Sequence, residues 1–102
     1  MTATQTLYLK ASRDPVTGQT YLPPRDLAAD GSLRTCEPVE VPAQGVLHSW
    51  TLFNGEACGI VDLDCGARIQ SYLAPGTDRI GERCRAIEMV DASRGRARFA
   101  HE

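Results

Sequence analysis

Val46–Leu73 reads VLHSWTLFNGEACGIVDLDCGARIQSYL, and the two reversals inside it decide the fold. Asn54-Gly55 is a dipeptide favoured in type I′ hairpin turns, where both central residues take positive φ. It ends an extended run over Val46–Phe53 and predicts a return strand over Ala57–Leu63. On that return strand Ala57, Gly59, Val61 and Leu63 share one face, because side chains alternate along extended backbone. Asp64-Cys65-Gly66 supplies the second reversal. Beyond it the alternation is cleanest: Ala67, Ile69, Ser71 and Leu73 fall on one side, and Arg68, Gln70 and Tyr72 on the other. That pattern predicts a strand with one buried face and one wet face.

Working toward the C-terminus, Ala74–Glu82 is a connection with room for a single helical turn, followed by strands over Arg83–Val90 and Gly95–Ala100. A three-strand meander, a crossing connection and a final pair make five strands. That order suits a small all-β Greek-key barrel of the OB type, whose closed sheet limits exposed edges. Toward the N-terminus, Thr6–Lys10 predicts a short strand, Asp14–Gly18 a turn and Gln19–Leu22 a return. Pro23-Pro24 ends the pairing, since proline has no N–H to donate. After the polar loop Asp26–Ser32, Thr35–Val41 leads through Pro42-Ala43-Gln44-Gly45 into the barrel. The organisation expected is a hairpin and loop over residues 1–34 and a barrel over 35–102, joined as one compact unit.

The chain has 102 residues, with 11 basic and 13 acidic side chains and a formal net charge of −2. Such a balance gives no general attraction to phosphate backbones or anionic membranes. No apolar run approaches the roughly 20 residues of a membrane span, and MTATQTLYLKAS lacks a basic region followed by an apolar core, so a cytoplasmic protein is expected. Cys36, Cys58, Cys65 and Cys84 lack C-x-x-C spacing and read as reduced thiols with structural roles.

Four segments, taken in order, carry a resemblance: T-G-Q-T-Y-L-P-P-R over Thr17–Arg25, G-V-L-H-S-W-T over Gly45–Thr51, G-I-V-D-L-D over Gly59–Asp64, and Arg79-Ile80-Gly81. Together the chain resembles the acyl-CoA-associated OB-fold family, domain of unknown function thirty-five, in which a rubredoxin-like zinc ribbon precedes the barrel. Zinc needs four ligands brought together by tight turns. The resemblance puts the ribbon's cysteine positions at Asp14, Thr17, Ala28 and Gly31, none of them a thiol. The ribbon is therefore degenerate, and neither zinc nor any other cofactor is expected. The resemblance further implies a chain that is not itself an enzyme and brings no catalytic residue. It would be a scaffold subunit beside a thiolase-like, ketosynthase-like or hydroxymethylglutaryl-CoA synthase-like enzyme, shaping access for acyl-CoA or an acyl-carrier protein. A hot-dog-fold acyl-CoA hydratase is an alternative partner.

Candidate contacts to a partner or acyl chain are Tyr21 and Arg25 in the ribbon frame, Trp50 and Phe53 near the first barrel hairpin, and Tyr72 on the wet face of its strand. Aromatic side chains anchor interfaces through large rigid area, and Arg25 follows two prolines that fix its backbone. His48 is the first candidate for proton transfer, with Asp62 or Asp64 as a spatial partner. Asp62 and Asp64, two apart on one strand face, are a carboxylate pair of the kind that holds a metal or divides acid and base roles. A strand histidine, a solvent-facing Asp62 and a turn-closing Asp64 are the plainer readings. His101 lies at a frayed terminus. Arg83, Arg85, Arg94, Arg96 and Arg98 form the basic concentration. With Trp50, Phe53 or Tyr72 as stacking platforms, they allow a second reading as a single-stranded nucleic-acid module, which the acidic balance disfavours.

Overall fold

The computed structural model describes residues 6–91 and 95–102 and is all-β, with two sheets sharing one core. β1 (Tyr8–Arg13), β2 (Thr20–Tyr21) and β3 (Glu37–Pro42) form a three-stranded sheet in the order β2-β1-β3. β4 (Gln44–Phe53), β5 (Glu56–Leu63), β6 (Arg68–Leu73), β7 (Arg83–Asp91) and β8 (Arg96–His101) close a barrel in the order β4-β5-β6-β8-β7. The meander and the crossing connection are as predicted, and β6 pairs β8 in parallel through Tyr72↔Arg98 and Leu73↔Phe99.

The local chemistry accounts for the hairpins. Asn54 (φ 52°) and Gly55 (φ 78°) both adopt the left-handed conformation that a type I′ turn demands. Gly45 is required by a close approach: a Cβ there would lie 2.0 Å from the Asp62 carbonyl oxygen on β5. One extra residue, His48, interrupts the β4–β5 ladder, which passes from Leu47↔Val61 to Ser49↔Ile60. This bulge reverses the alternation, so Trp50 shares the face of Gly59 although Leu47 had been the inward residue.

Two expectations are corrected. Ala74–Glu82 forms no helical turn; Thr77 N–H donates to Ala74 C=O and Glu82 N–H to Arg79 C=O, isolated turns set by the positive φ of Gly76 and Gly81. Glu37–Pro42 does not belong with the barrel strands, because it pairs along all of β1 from Tyr8↔Pro42 to Arg13↔Glu37. Partners therefore change between Pro42 and Gln44, not at residue 35.

A single apolar cluster crosses both sheets. Leu9, Ala11 and Val41 from the small sheet meet Leu47, Val61, Leu63, Leu73, Ala97 and Phe99 from the barrel. Phe99, fully buried, is the largest of these side chains. The far end of the small sheet, residues 14–35, contributes only Ala28 among the buried apolar residues and so needs another means of support.

Candidate functional site

At that far end, polar contacts converge on a buried carboxylate. Asp14 has no exposed surface, and its Oδ1 accepts from the Val16 N–H (2.9 Å) while its backbone closes the turn through Gly18 N–H and Gln19 C=O. Arg34, twenty residues on, donates from Nε to Asp14 Oδ1 (3.1 Å) and from Nη2 to Oδ2 (2.7 Å). The same Nη2 reaches Asp30 Oδ2 at 2.7 Å. The Arg34 guanidinium beside Asp14 holds its carboxyl well below the usual carboxylate range, with help from the Val16 N–H and against the opposing effect of burial. Arg34 was not foreseen as Asp14's partner, because nothing in the spacing of the two residues announces the pair.

These residues do not fit the zinc that a ribbon implies. Asp14 is already occupied on both oxygens, Ala28 and Gly31 offer no side-chain donor, and a lone Thr17 hydroxyl does not complete a tetrahedral set. No group of three or more His, Cys, Asp or Glu capable of holding a metal occurs among the described residues. Burial pushes the Cys84 thiol up to about 11, which leaves it protonated and unreactive at neutral pH.

Two hollows open on the surface, one between the small sheet and the barrel and one on the barrel alone. The larger, about 650 Å³, lies between Tyr8 and Lys10 of β1, Pro23 and Pro24, and the widened seam of β6 and β8 at Ile69 and Arg96. The smaller, about 500 Å³, is lined by Trp50 and Phe53 of β4, Cys58 and Ile60 of β5, and Ser71 of β6. Gln70 and Arg96 line both. Their volumes fall in the range of roughly 300–1,000 Å³ usual for ligand pockets.

The sequence-predicted contacts occupy three places. Trp50 and Phe53 do come together on the smaller hollow; Trp50 Nε1 donates to the Asp78 carbonyl (3.0 Å), and Phe53 is exposed at the hairpin tip. Tyr21 and Arg25 form a separate pair, with the guanidinium 5.5 Å from the ring centroid and the Tyr21 hydroxyl accepting from Ala29 N–H. Tyr72 lies under Arg98, 5.7 Å from its guanidinium carbon, and Arg98 bridges Glu56 and Glu88 at 2.8 Å each.

Asp62 and Asp64 do not act as a carboxylate pair. Asp62 binds Arg68 (2.6 Å) opposite it on β6, and Asp64 binds Arg83 (2.6 Å) on β7. Each partner arginine lowers its aspartate's pKa, so both stay ionised at neutral pH. His48, turned outward by the bulge, brings Nδ1 to 3.5 Å from Asp62 Oδ2, completing an exposed His–Asp–Arg row. His101 is not frayed: Nε2 accepts from the Arg79 N–H (3.0 Å) and Nδ1 lies 3.1 Å from the Arg83 carbonyl, tying the 74–82 connection to β8. Arg94 lies outside the described residues.

The architecture is a three-stranded sheet set against a closed five-stranded barrel of the OB type. No family model and no curated protein sequence matches the chain. Among solved structures it is similar to a chain of an Ltp2-ChsH2(DUF35) aldolase, with a TM-score of 0.66 and 17% identity over 94% of this chain and 84% of that one. At that identity the likeness shows the fold, one shared with a DUF35 protein. It also corrects the expectation of a chain that is not an enzyme, because the structure it matches is an aldolase. No helix among the described residues is long and apolar enough to cross a membrane.

Proposed function

We propose that this chain is the ribbon-and-barrel component of an enzyme assembly that forms or cleaves carbon–carbon bonds in acyl thioesters, working beside a thiolase-like chain. The likeness to the Ltp2-ChsH2(DUF35) aldolase over 94% of the chain is the observation that carries this reading. The surface agrees with it. Trp50, Leu52 and Phe53 are exposed at one hairpin, and Ile87, Met89 and Val90 are exposed on β7, giving apolar area suited to a protein partner. The hollow beside Phe53 offers an apolar wall for an acyl chain.

In this reading the hairpin needs no zinc, because the Asp14–Arg34–Asp30 network spans the two turns that a metal would join. The nucleic-acid reading loses support: Arg34, Arg68, Arg79, Arg83 and Arg98 are matched to carboxylates, and the net charge is −2. Affinity purification of the tagged chain from its native host, under gentle conditions, tests the proposal. A thiolase-like or aldolase chain in matching amount, identified by mass spectrometry, is the expected result; recovery of this chain alone would overturn it.

A further inference from the structure

The two outer edges of the small sheet are treated differently. In β3, Pro38, Glu40 and Pro42 sit opposite Ser12, Lys10 and Tyr8. Ala43 N–H donates to the Leu7 carbonyl, so the odd-numbered residues of β1 exchange hydrogen bonds with β3 and the even-numbered ones face away. The N–H positions at Pro38 and Pro42 would therefore point off the sheet, and proline removes both donors. That edge is blunted against strand addition.

The opposite edge of β1 is not blunted. Its even residues face β2, which pairs only at Ser12↔Tyr21 and Arg13↔Thr20 before Pro23-Pro24 leads the chain away. The backbone N–H and C=O of Tyr8 and Lys10 are thus left facing the larger hollow, without a strand partner among the described residues. Tyr8, Lys10, Pro23 and Pro24 form one wall there, and Ile69, Met89 and Arg96 another. Lys10 and Arg96 form no ion pair among the described residues, unlike Arg68 beside them, although Glu40 stands opposite Lys10 and Asp91 opposite Arg96 in the strand register.

We propose that this groove receives an extended acidic segment of a protein partner, added as a strand to the open edge of β1. Main-chain hydrogen bonds to Tyr8 and Lys10 hold the segment, while Lys10 and Arg96 select carboxylate side chains on it. The inference goes beyond the enzyme assignment and does not depend on it: a partner of another kind would leave the groove and its chemistry unchanged.

The test is fluorescence anisotropy on the full chain with three labelled ten-residue peptides. One alternates Glu and Val, one carries Lys in place of Glu, and one is the Glu-Val peptide with alternate amides N-methylated. Saturable binding of the Glu-Val peptide is expected, at least about tenfold tighter than either control, with slowed amide exchange at Tyr8 and Lys10. Lys10→Glu combined with Arg96→Glu should weaken binding by a similar factor while thermal unfolding stays unchanged. Three results would each overturn the proposal: no saturable binding, equal affinity for the N-methylated peptide, or displacement of the peptide by coenzyme A or oligo-dT, which would mark a site for small anions or nucleic acid. The peptide controls decide the matter even if the double variant fails to fold.

Discussion

The barrel and the ribbon-like end at residues 14–35 sit in one short chain and are held by opposite means. The barrel rests on buried apolar side chains, among them Phe99, Leu47, Val61 and Leu73, all 2% exposed or less. The ribbon-like end rests on one sunken carboxylate, a guanidinium that reaches it across twenty residues, and turn hydrogen bonds. Apolar burial is non-directional and nearly indifferent to pH, whereas an ion pair depends on geometry, protonation and salt. A small excursion can therefore hold its shape without an apolar core of its own, provided a directional contact spans its turns.

The sharpest way to break the contrast is to damage the barrel. Phe99→Ala should cost about 3–5 kcal/mol and unfold both regions together, because the apolar cluster crosses from barrel to small sheet. Urea unfolding followed by fluorescence and by circular dichroism should show one coincident, weakened transition.

Asp14→Asn should act locally instead. Amides of Val16, Gly18 and Ala28 are expected to exchange at least about tenfold faster, while those of Leu47, Val61 and Phe99 keep their protection, as measured by residue-resolved hydrogen exchange.

Acid sharpens the same distinction. Asp14 has its folded pKa depressed, so its contribution is fully present above the ordinary carboxylate value of about 4 and is lost as pH falls through the folded value. Asp30 follows in the same direction, held down by Ser32 and then Arg34. Exchange protection at Val16 and Gly18 should thus hold between pH 7 and 5 and decline below about pH 4, before the apolar barrel core opens. A ribbon-like end that outlasts the barrel in acid would contradict this.

The smallest expected effect is none at all. Chelators should leave the thermal midpoint unchanged, and elemental analysis of native protein should find no stoichiometric zinc.

Most of the barrel was legible because its signals are local. Asn54-Gly55 fixes one turn, and the alternation over Ala67–Leu73 fixes a face, each within a few residues. Contacts between distant residues were not legible. Thr35–Val41 alternates too weakly to fix a partner, and only the β1 register assigns Glu37–Pro42 to the small sheet. Arg34 carries no local signal, since its partner depends on how two turns meet. The bulge at His48 has no local signature, although it aims the imidazole at Asp62 and turns Trp50 onto the face of Gly59. Trp50 and Phe53 are contact candidates by residue type alone, and only the structure shows that both are exposed. The groove was missed because it depends on an edge left unpaired.

The claim that the fold serves an enzyme assembly is tested most directly by reconstitution. The assembly purified from the native host should be assayed for carbon–carbon bond cleavage of a 3-hydroxyacyl thioester, then stripped of this chain and assayed again before and after adding the chain back. The account predicts that activity falls at least about tenfold on removal and returns on addition. Undiminished activity in the stripped assembly would contradict it.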